Sequence, residues 1–225
     1  MMKNCYIIGS GMGGEINIHD ENNAYIIAAD GGYYKLKEKG ITPSLVLGDF
    51  DSSNKPDDFE NILVYPKEKD KTDAQLAVEK GIDKGCENFF IYGGTGGRED
   101  HTFANIQLLS YLSERNLKGY LIYENMIATV IKNSEIYFNE KETGYISVFS
   151  FGDVAENVSV TGLKYEVENV SLNNSYPLGV SNEFIGKPSK IKVENGKLLI
   201  MWQIKNVTID WLLRFLTMIL IFNFG

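Results

Sequence analysis

Short apolar runs recur through the first half of the chain, each followed by a helical or glycine-rich stretch. Residues 6–8, 25–29, 45–47, 62–65, 89–92 and 120–123 read as strands. Helical patterns fall between them at 33–39, 73–84 and 101–115. In the last of these, Phe103, Ile106, Leu109 and Leu112 recur at intervals of three, which predicts one apolar stripe facing a core. Strands that alternate with helices call for crossover connections and a largely parallel sheet.

The pattern changes near residue 125. YISVFSF, NVSVTGL and SKIKVENGKLLIMWQI are strand-like, and no convincing helix precedes residue 207. Asn195-Gly196, between two such runs, predicts a two-residue hairpin. The expected fold class is therefore α/β, with a parallel α/β domain over 1–125 and an all-β domain over 126–205. An apolar tail over 206–225 follows. Asp210 and Arg214 interrupt it, so it reads as a docking helix or an aggregation-prone end rather than a membrane anchor.

Composition narrows the function classes. The 225 residues suit one large domain or two small ones, and 44% hydrophobic with 23% charged residues is ordinary for a globular protein. A net charge of -8 argues against bulk nucleic-acid binding, which needs Lys and Arg to displace counterions. It leaves room for a phosphorylated small molecule, because a metal ion screens that charge locally. Cys5 and Cys86 are too few for a disulfide framework and lack zinc spacing; both sit beside apolar runs and read as buried free thiols. MMKNCYIIGSG lacks the apolar core of a secretory leader, which predicts a cytoplasmic protein with no membrane partner.

The chemistry concentrates where strands end. LVLGDFDSS, 45–53, runs from a buried strand straight into Asp49 and Asp51. Asp30 follows the run ending at 29, Asp73 opens a helix, and Asp100 opens the helix after the glycine loop GGTGG, 93–97. In an open α/β sheet the carboxyl ends of strands share one edge, and ligands bind there. Asp73 and Asp100 also suit plain helix capping, and Asp30 suits turn chemistry. Together, however, carboxylates from separate loops point to a cation, and such hard oxygen ligands suit Mg2+. GGTGGRED, Gly94 and Gly97 included, lets backbone N–H groups approach a phosphate, with Arg98 and Lys71 as candidate phosphate partners. Gly9-Ser-Gly-Met-Gly-Gly14 fits G-x-G-x-x-G, but the polar GEINIHDENN that follows makes a poor helix, so a dinucleotide site is not expected. His19, in that polar stretch, reads as solvated.

AADGGYYKL with GDFDSS, then DKTDAQLA, YGGTGGREDHTFANIQLL and PLGVSNEF resemble, in order, the thiamine pyrophosphokinase family. The resemblance covers roughly residues 3–204 and does not reach the apolar tail. It implies transfer of a pyrophosphoryl group from ATP to the hydroxyethyl group of thiamine, with Mg2+ required. It also implies an α/β domain joined to a thiamine-binding β-sandwich domain, and a homodimer with active sites between subunits. Carried over residue by residue, Asp49, Asp51 and Asp73 would bind Mg2+, and Asp30 would sit at the nucleotide or the metal. Arg98 would hold phosphate. Asp100 would orient or deprotonate the attacking hydroxyl, or bind metal. Ser181 and Asn182 would hydrogen-bond the aminopyrimidine of thiamine.

Two other readings differ in kind. A phosphohydrolase with Asp49 as nucleophile shares the strand-then-Asp-x-Asp opening, but Ser52-Ser53 stand where such enzymes carry Gly-Thr or Val-Thr. Against a sensor that kept the fold and binds nucleotide or thiamine without turning it over stands the complete carboxylate set.

Overall fold

The computed structural model describes residues 3–51 and 53–204; the apolar tail at 206–225 lies outside the described residues. The chain divides into two compact units, one of residues up to 108 with 117–124, the other of 109–116 with the residues from 125 on.

The first unit contains β1 (Lys3–Ile8), β2 (Tyr25–Ala29), α1 (Gly32–Glu38), β3 (Leu45–Gly48), β4 (Ile62–Val64), α2 (Asp73–Asp83), β5 (Cys86–Tyr92), the start of α3 (Glu99–Ser113) and β6 (Lys118–Ile122). Its six strands are all parallel, in the order β6-β5-β1-β2-β3-β4. The middle strands are apolar over their carboxyl-terminal halves, Cys5–Ile8 in β1 and Phe89–Tyr92 in β5, as in a sheet with both faces covered. Tyr6, Phe90 and Tyr120 stack across β1, β5 and β6, with ring centroids 4.9 and 5.3 Å apart. Cys5 and Cys86 are buried free thiols. The chain lays β2, β3 and β4 to one side of β1 and then β5 and β6 to the other. The strand order thus reverses between β1 and β5, and open α/β sheets bind ligands at that crevice.

Helix α2 starts where its sequence dictates. Thr72 is the N-cap, its hydroxyl accepting from the Gln75 amide at 3.2 Å, and Leu76, Ala77 and Val78 face the core. Helix α3 departs from the predicted stripe: Phe103 is 58% exposed, while Asn105, Leu108, Leu109 and Leu112 are buried. At about 100° per residue, an interval of three falls short of a full turn by about 60° each time. From Phe103 to Leu112 the drift therefore reaches the opposite side of the helix.

His19 also differs from expectation, being 8% exposed. Its backbone N–H donates to the Tyr6 hydroxyl at 3.2 Å, and the Tyr92 hydroxyl donates to the Asn17 carbonyl at 3.0 Å. Two buried tyrosines thereby fasten a segment that is polar by composition.

The second unit contains β7 (Met126–Lys132), β8 (Glu135–Phe138), β9 (Tyr145–Ser150), β10 (Val154–Thr161), β11 (Val167–Asn173), β12 (Gly179–Glu183), β13 (Ser189–Lys192) and β14 (Lys197–Gln203). Its strands form two antiparallel sets, β12-β9-β14-β7 and β11-β10-β13-β8. Phe138 meets Trp202 and Phe184 edge-on, each with centroids 5.3 Å apart, and Trp202 is fully buried. The hairpin predicted at Asn195-Gly196 is not formed. β13 pairs with β10 and β8, whereas β14 pairs with β7 and β9. The turn instead carries the chain from one sheet to the other. It is held by Asn133, whose amide donates to the Gly196 carbonyl at 3.1 Å and whose side-chain carbonyl accepts from the Gly196 amide at 2.8 Å.

Candidate active site

The site begins with backbone geometry at the strand ends. Beyond β1 and β5 the two chains continue side by side: the Gly9 amide donates to the Tyr92 carbonyl at 2.8 Å and the Gly11 amide to the Gly93 carbonyl at 2.9 Å. A Cβ on Gly9 would stand 2.8 Å from the Gly93 carbonyl oxygen. The G-x-G-x-x-G stretch therefore serves close packing of two loops and opens no helix. The Lys35 ammonium, from α1, donates to the Gly11 carbonyl.

Beyond β2, Asp30 adopts a left-handed backbone, φ 51°, and accepts from the Ser53 hydroxyl at 2.6 Å. Beyond β3, Phe50 also sits at φ 56°. A left-handed bulky residue costs about 1–2 kcal/mol. Here it reverses the chain between two aspartates, so that the Asp51 amide donates back to the Asp49 carboxylate at 3.2 Å.

These loops line one open cleft of about 810 Å³ in the first unit. Asp30, Asp49, Asp51 and Asp73 line it, together with Gly94, Gly97, Arg98 and Lys71. Four of the five predicted aspartates are thus brought to one place. The fifth, Asp100, is not among the lining residues; its carboxylate accepts from the Arg98 guanidinium at 2.6 Å and from the His101 amide at 3.0 Å. Asp73 is the first helical residue rather than the cap, and a carboxylate in the first turn is favoured by the helix dipole. Asn105 positions the glycine loop, its side-chain amide donating to the Gly94 carbonyl at 2.7 Å.

Sequence pattern alone does not single out the cations that neutralise these carboxylates. Lys69 Nζ lies 3.0 Å from Asp49 and 3.1 Å from Asp73, and Lys67 Nζ lies 2.7 Å from Asp51. Lys71, the lysine predicted for phosphate, forms an ion pair with Glu79 at 2.8 Å. Burial alone would raise the Asp49 carboxyl, but Lys69 and the Asp51 amide outweigh it and hold the group below its ordinary value. Burial pushes the Asp73 carboxyl above its ordinary value; Lys69 opposes this, while the charges of Asp49 and Asp30 add to it. The Lys69 ammonium stays above its usual range, because its two carboxylates outweigh its own burial.

Among the described residues, no three carboxylate, histidine or cysteine side chains converge closely enough to hold a metal ion. Asp49 and Asp73 do converge on one point, the one held by the Lys69 ammonium. Asp73 Oδ1 is buried there with an ion pair but no aligned hydrogen bond. Hard, partly unsatisfied oxygen donors around an existing cation position fit Mg2+.

Ser181 and Asn182 lie on β12 in the second unit. Ser181 is left-handed at φ 61° and its amide donates to the Ser147 hydroxyl at 3.1 Å. The Asn182 side chain bonds the Tyr165 backbone twice, accepting from its amide at 2.9 Å and donating to its carbonyl at 2.7 Å. Tyr165, Tyr176, Leu178 and Val180 are exposed beside them in the chain or across that bond.

Comparison with known proteins agrees on one family. Residues 19–121 match the profile described as "Thiamin pyrophosphokinase, catalytic domain", and residues 133–199 match "Thiamin pyrophosphokinase, vitamin B1 binding domain". A thiamine pyrophosphokinase of Bacillus subtilis is 31% identical over 81% of this chain and 88% of its own length. Thiamin pyrophosphokinase 1 of Caenorhabditis elegans is 30% identical over 71% of each chain. The crystal structure of the Bacillus subtilis enzyme superposes with a TM-score of 0.80 at 26% identity, covering 90% of this chain and all of the other.

Proposed function

This chain belongs to the thiamine pyrophosphokinase family, and on that premise we propose that the cleft of its first unit is where a magnesium–nucleotide complex meets thiamine. The chain is an enzyme, a thiamine diphosphokinase that moves a pyrophosphoryl group from ATP to the hydroxyethyl group of thiamine and releases AMP. The observation that carries the site assignment is the gathering of Asp30, Asp49, Asp51 and Asp73 from two strand ends and a helix start around one cleft, faced by a glycine loop and Arg98.

In this reading the thiamine hydroxyl oxygen bonds to the β-phosphorus of ATP as the bond to the AMP oxygen breaks. Transfers of this kind depend mainly on positioning and on charge neutralisation at the phosphate oxygens. Asp49, Asp51 and Asp73 are the residues that would hold Mg2+, which supplies positive charge to those oxygens when bound. The amides of residues 93–97 and the Arg98 guanidinium hold the anionic chain of phosphates. Asp30, fixed by Ser53, faces the nucleotide or the metal. Asp100, once Arg98 turns to phosphate, is free to orient the hydroxyl and accept its proton late in the transfer. Ser181 and Asn182 hold the aminopyrimidine, with Asn182 keeping its bonds to Tyr165. A homodimer with active sites between subunits and a cytoplasmic location complete the proposal.

Incubation with thiamine and MgATP tests it. Formation of AMP and thiamine diphosphate in equal amounts, abolished by chelator, is the expected result. Release of inorganic phosphate without thiamine would instead mark a hydrolase with an aspartate nucleophile.

A further inference from the structure

Lys69 stands where a divalent cation would stand. Its side chain is 13% exposed, far less than that of Lys67 at 75% or Lys71 at 46%. It is the one lysine of the 67–71 segment that touches two carboxylates of the cleft, Asp49 at 3.0 Å and Asp73 at 3.1 Å. Those two side chains come from different elements, the turn after β3 and the first turn of α2. Without a cation between them they would repel each other at close range in a partly buried setting. Lys69 therefore holds the turn and the helix start in register. It reaches Asp73 across a spacing of four residues, from a segment that already borders the cleft.

We propose that Lys69 is a resident counter-ion that competes with the divalent cation for Asp49 and Asp73, and that it moves to the triphosphate when the metal arrives. The inference rests on the reading of this cleft as the magnesium–nucleotide site. The Lys69 stem is a flexible four-carbon chain, and a lysine ammonium is a suitable point-charge partner for phosphate oxygens. The device keeps the carboxylates pre-arranged while the cleft is empty. It also ties metal entry to nucleotide entry, because the displaced ammonium gains a new anionic partner only when phosphates are present.

The test uses Mn2+ as a paramagnetic probe, titrated into the full-length protein without nucleotide and followed by electron paramagnetic resonance. Lys69→Met and Lys69→Gln remove the competing charge and keep most of the side-chain volume. Both should bind Mn2+ at least about tenfold more tightly than wild type, since a unit charge at hydrogen-bond distance is removed from both ligands. A merely structural lysine would leave Mn2+ affinity unchanged or weaken it when lost, and either result overturns the proposal. So does an absence of measurable binding to the folded variants at millimolar Mn2+. If neither variant folds, the wild type decides. Acetylation of Lys69 by acetic anhydride, read by mass spectrometry, should speed up severalfold on adding Mg2+. It should slow again on adding an ATP analogue with a methylene bridge between the α and β phosphates. A rate indifferent to Mg2+ overturns the proposal. Wild-type conversion of thiamine and MgATP to thiamine diphosphate, measured in parallel, tests the underlying reading separately.

Discussion

Gly9 and Gly93 back onto each other with no space for a side chain on either. A Cβ on Gly9 would lie 2.8 Å from the Gly93 carbonyl oxygen, and one on Gly93 would press still harder on the carbonyl of Gly9. Gly93 also sits at φ 63°, where any other residue is strained. This contact brings the loop after β1 against the loop after β5, at the reversal of strand order. Gly93→Ala should therefore destabilise the protein by more than about 1 kcal/mol from backbone strain alone, with the steric contact adding to it. Urea unfolding measures the loss. Because the same movement displaces the 93–97 loop, the KM for ATP should rise in whatever fraction remains folded. Stability and KM within error of wild type would show that the loops do not need this contact.

Among the described residues, the Asp51 carboxylate is ion-paired with Lys67, a neighbour that is itself largely in solvent. Lys67 is 75% exposed, and such pairs contribute about 0–1 kcal/mol to stability. Asp51→Ala should thus unfold at nearly the wild-type urea concentration. Its kcat should fall about a hundredfold or more if the carboxylate helps neutralise transition-state charge. Steady-state AMP release, with circular dichroism to verify the fold, separates the two effects. Activity within about threefold of wild type would remove Asp51 from the metal-binding set.

Much of this architecture is legible in the residues, and what is not legible has physical causes. The strands and helices of the first unit announce themselves because a two-face-covered parallel sheet requires uninterrupted apolar runs, and Asp30, Asp49, Asp51 and Asp73 follow from the rule that such strands end at one edge. β11 and β12 carry no comparable signal. Val167–Asn173 and Gly179–Glu183 are exposed or half-buried except at Leu172, so neither alternation nor an apolar run marks them. Asn195-Gly196 has the composition of a hairpin turn, but turn chemistry fixes only the reversal; whether the next strand joins the same sheet depends on partners far away in sequence, here β7 and β9. Lys69 was hidden for a related reason. In a segment with five consecutive charges, only the fold reveals which ammonium reaches the aspartates. Asp100 was legible as a charged residue at a helix start, but its pairing with Arg98 depends on side-chain rotamers that spacing does not determine.

Arg98 and Asp100 form an exposed pair, 2.6 Å between Nη2 and the carboxylate, with both side chains more than half in solvent. The guanidinium holds the Asp100 carboxyl below its ordinary range. Little stability depends on so exposed a pair. Its loss should register in substrate handling instead. Arg98→Ala should raise the KM for ATP about tenfold, the equivalent of one charge-assisted phosphate contact at about 1.4 kcal/mol. The KM for thiamine should change by less than about twofold if the guanidinium serves the phosphates and not the vitamin. Equal effects on both substrates would contradict a phosphate role. Lys at this position should restore only part of the effect, because an ammonium lacks the fork that meets two oxygens at once.

His19 sets a pH dependence that lies away from the aspartates. It is buried, its Nε2 has no hydrogen-bond partner among the described residues, and burial lowers its pKa below the ordinary 6.5. The groups close to it are the Tyr6 hydroxyl, which accepts from its backbone amide, and the neighbouring Asp20. With a native pKa below the unfolded value, the unfolded chain binds more protons in the interval between them. Stability is then complete above pH of about 6.5 and falls as pH drops toward the native pKa, with a slope of at most about 1.4 kcal/mol per pH unit for one proton. Urea unfolding of wild type and His19→Gln at several values between pH 5.5 and 7.5 checks the sign. The variant gives up packing at every pH, so the informative quantity is the slope. Wild type should lose stability more steeply than the variant on acidification. Parallel lines would mean that the imidazole takes up its proton in the folded state at no cost, and that the 15–19 segment opens to solvent to allow it.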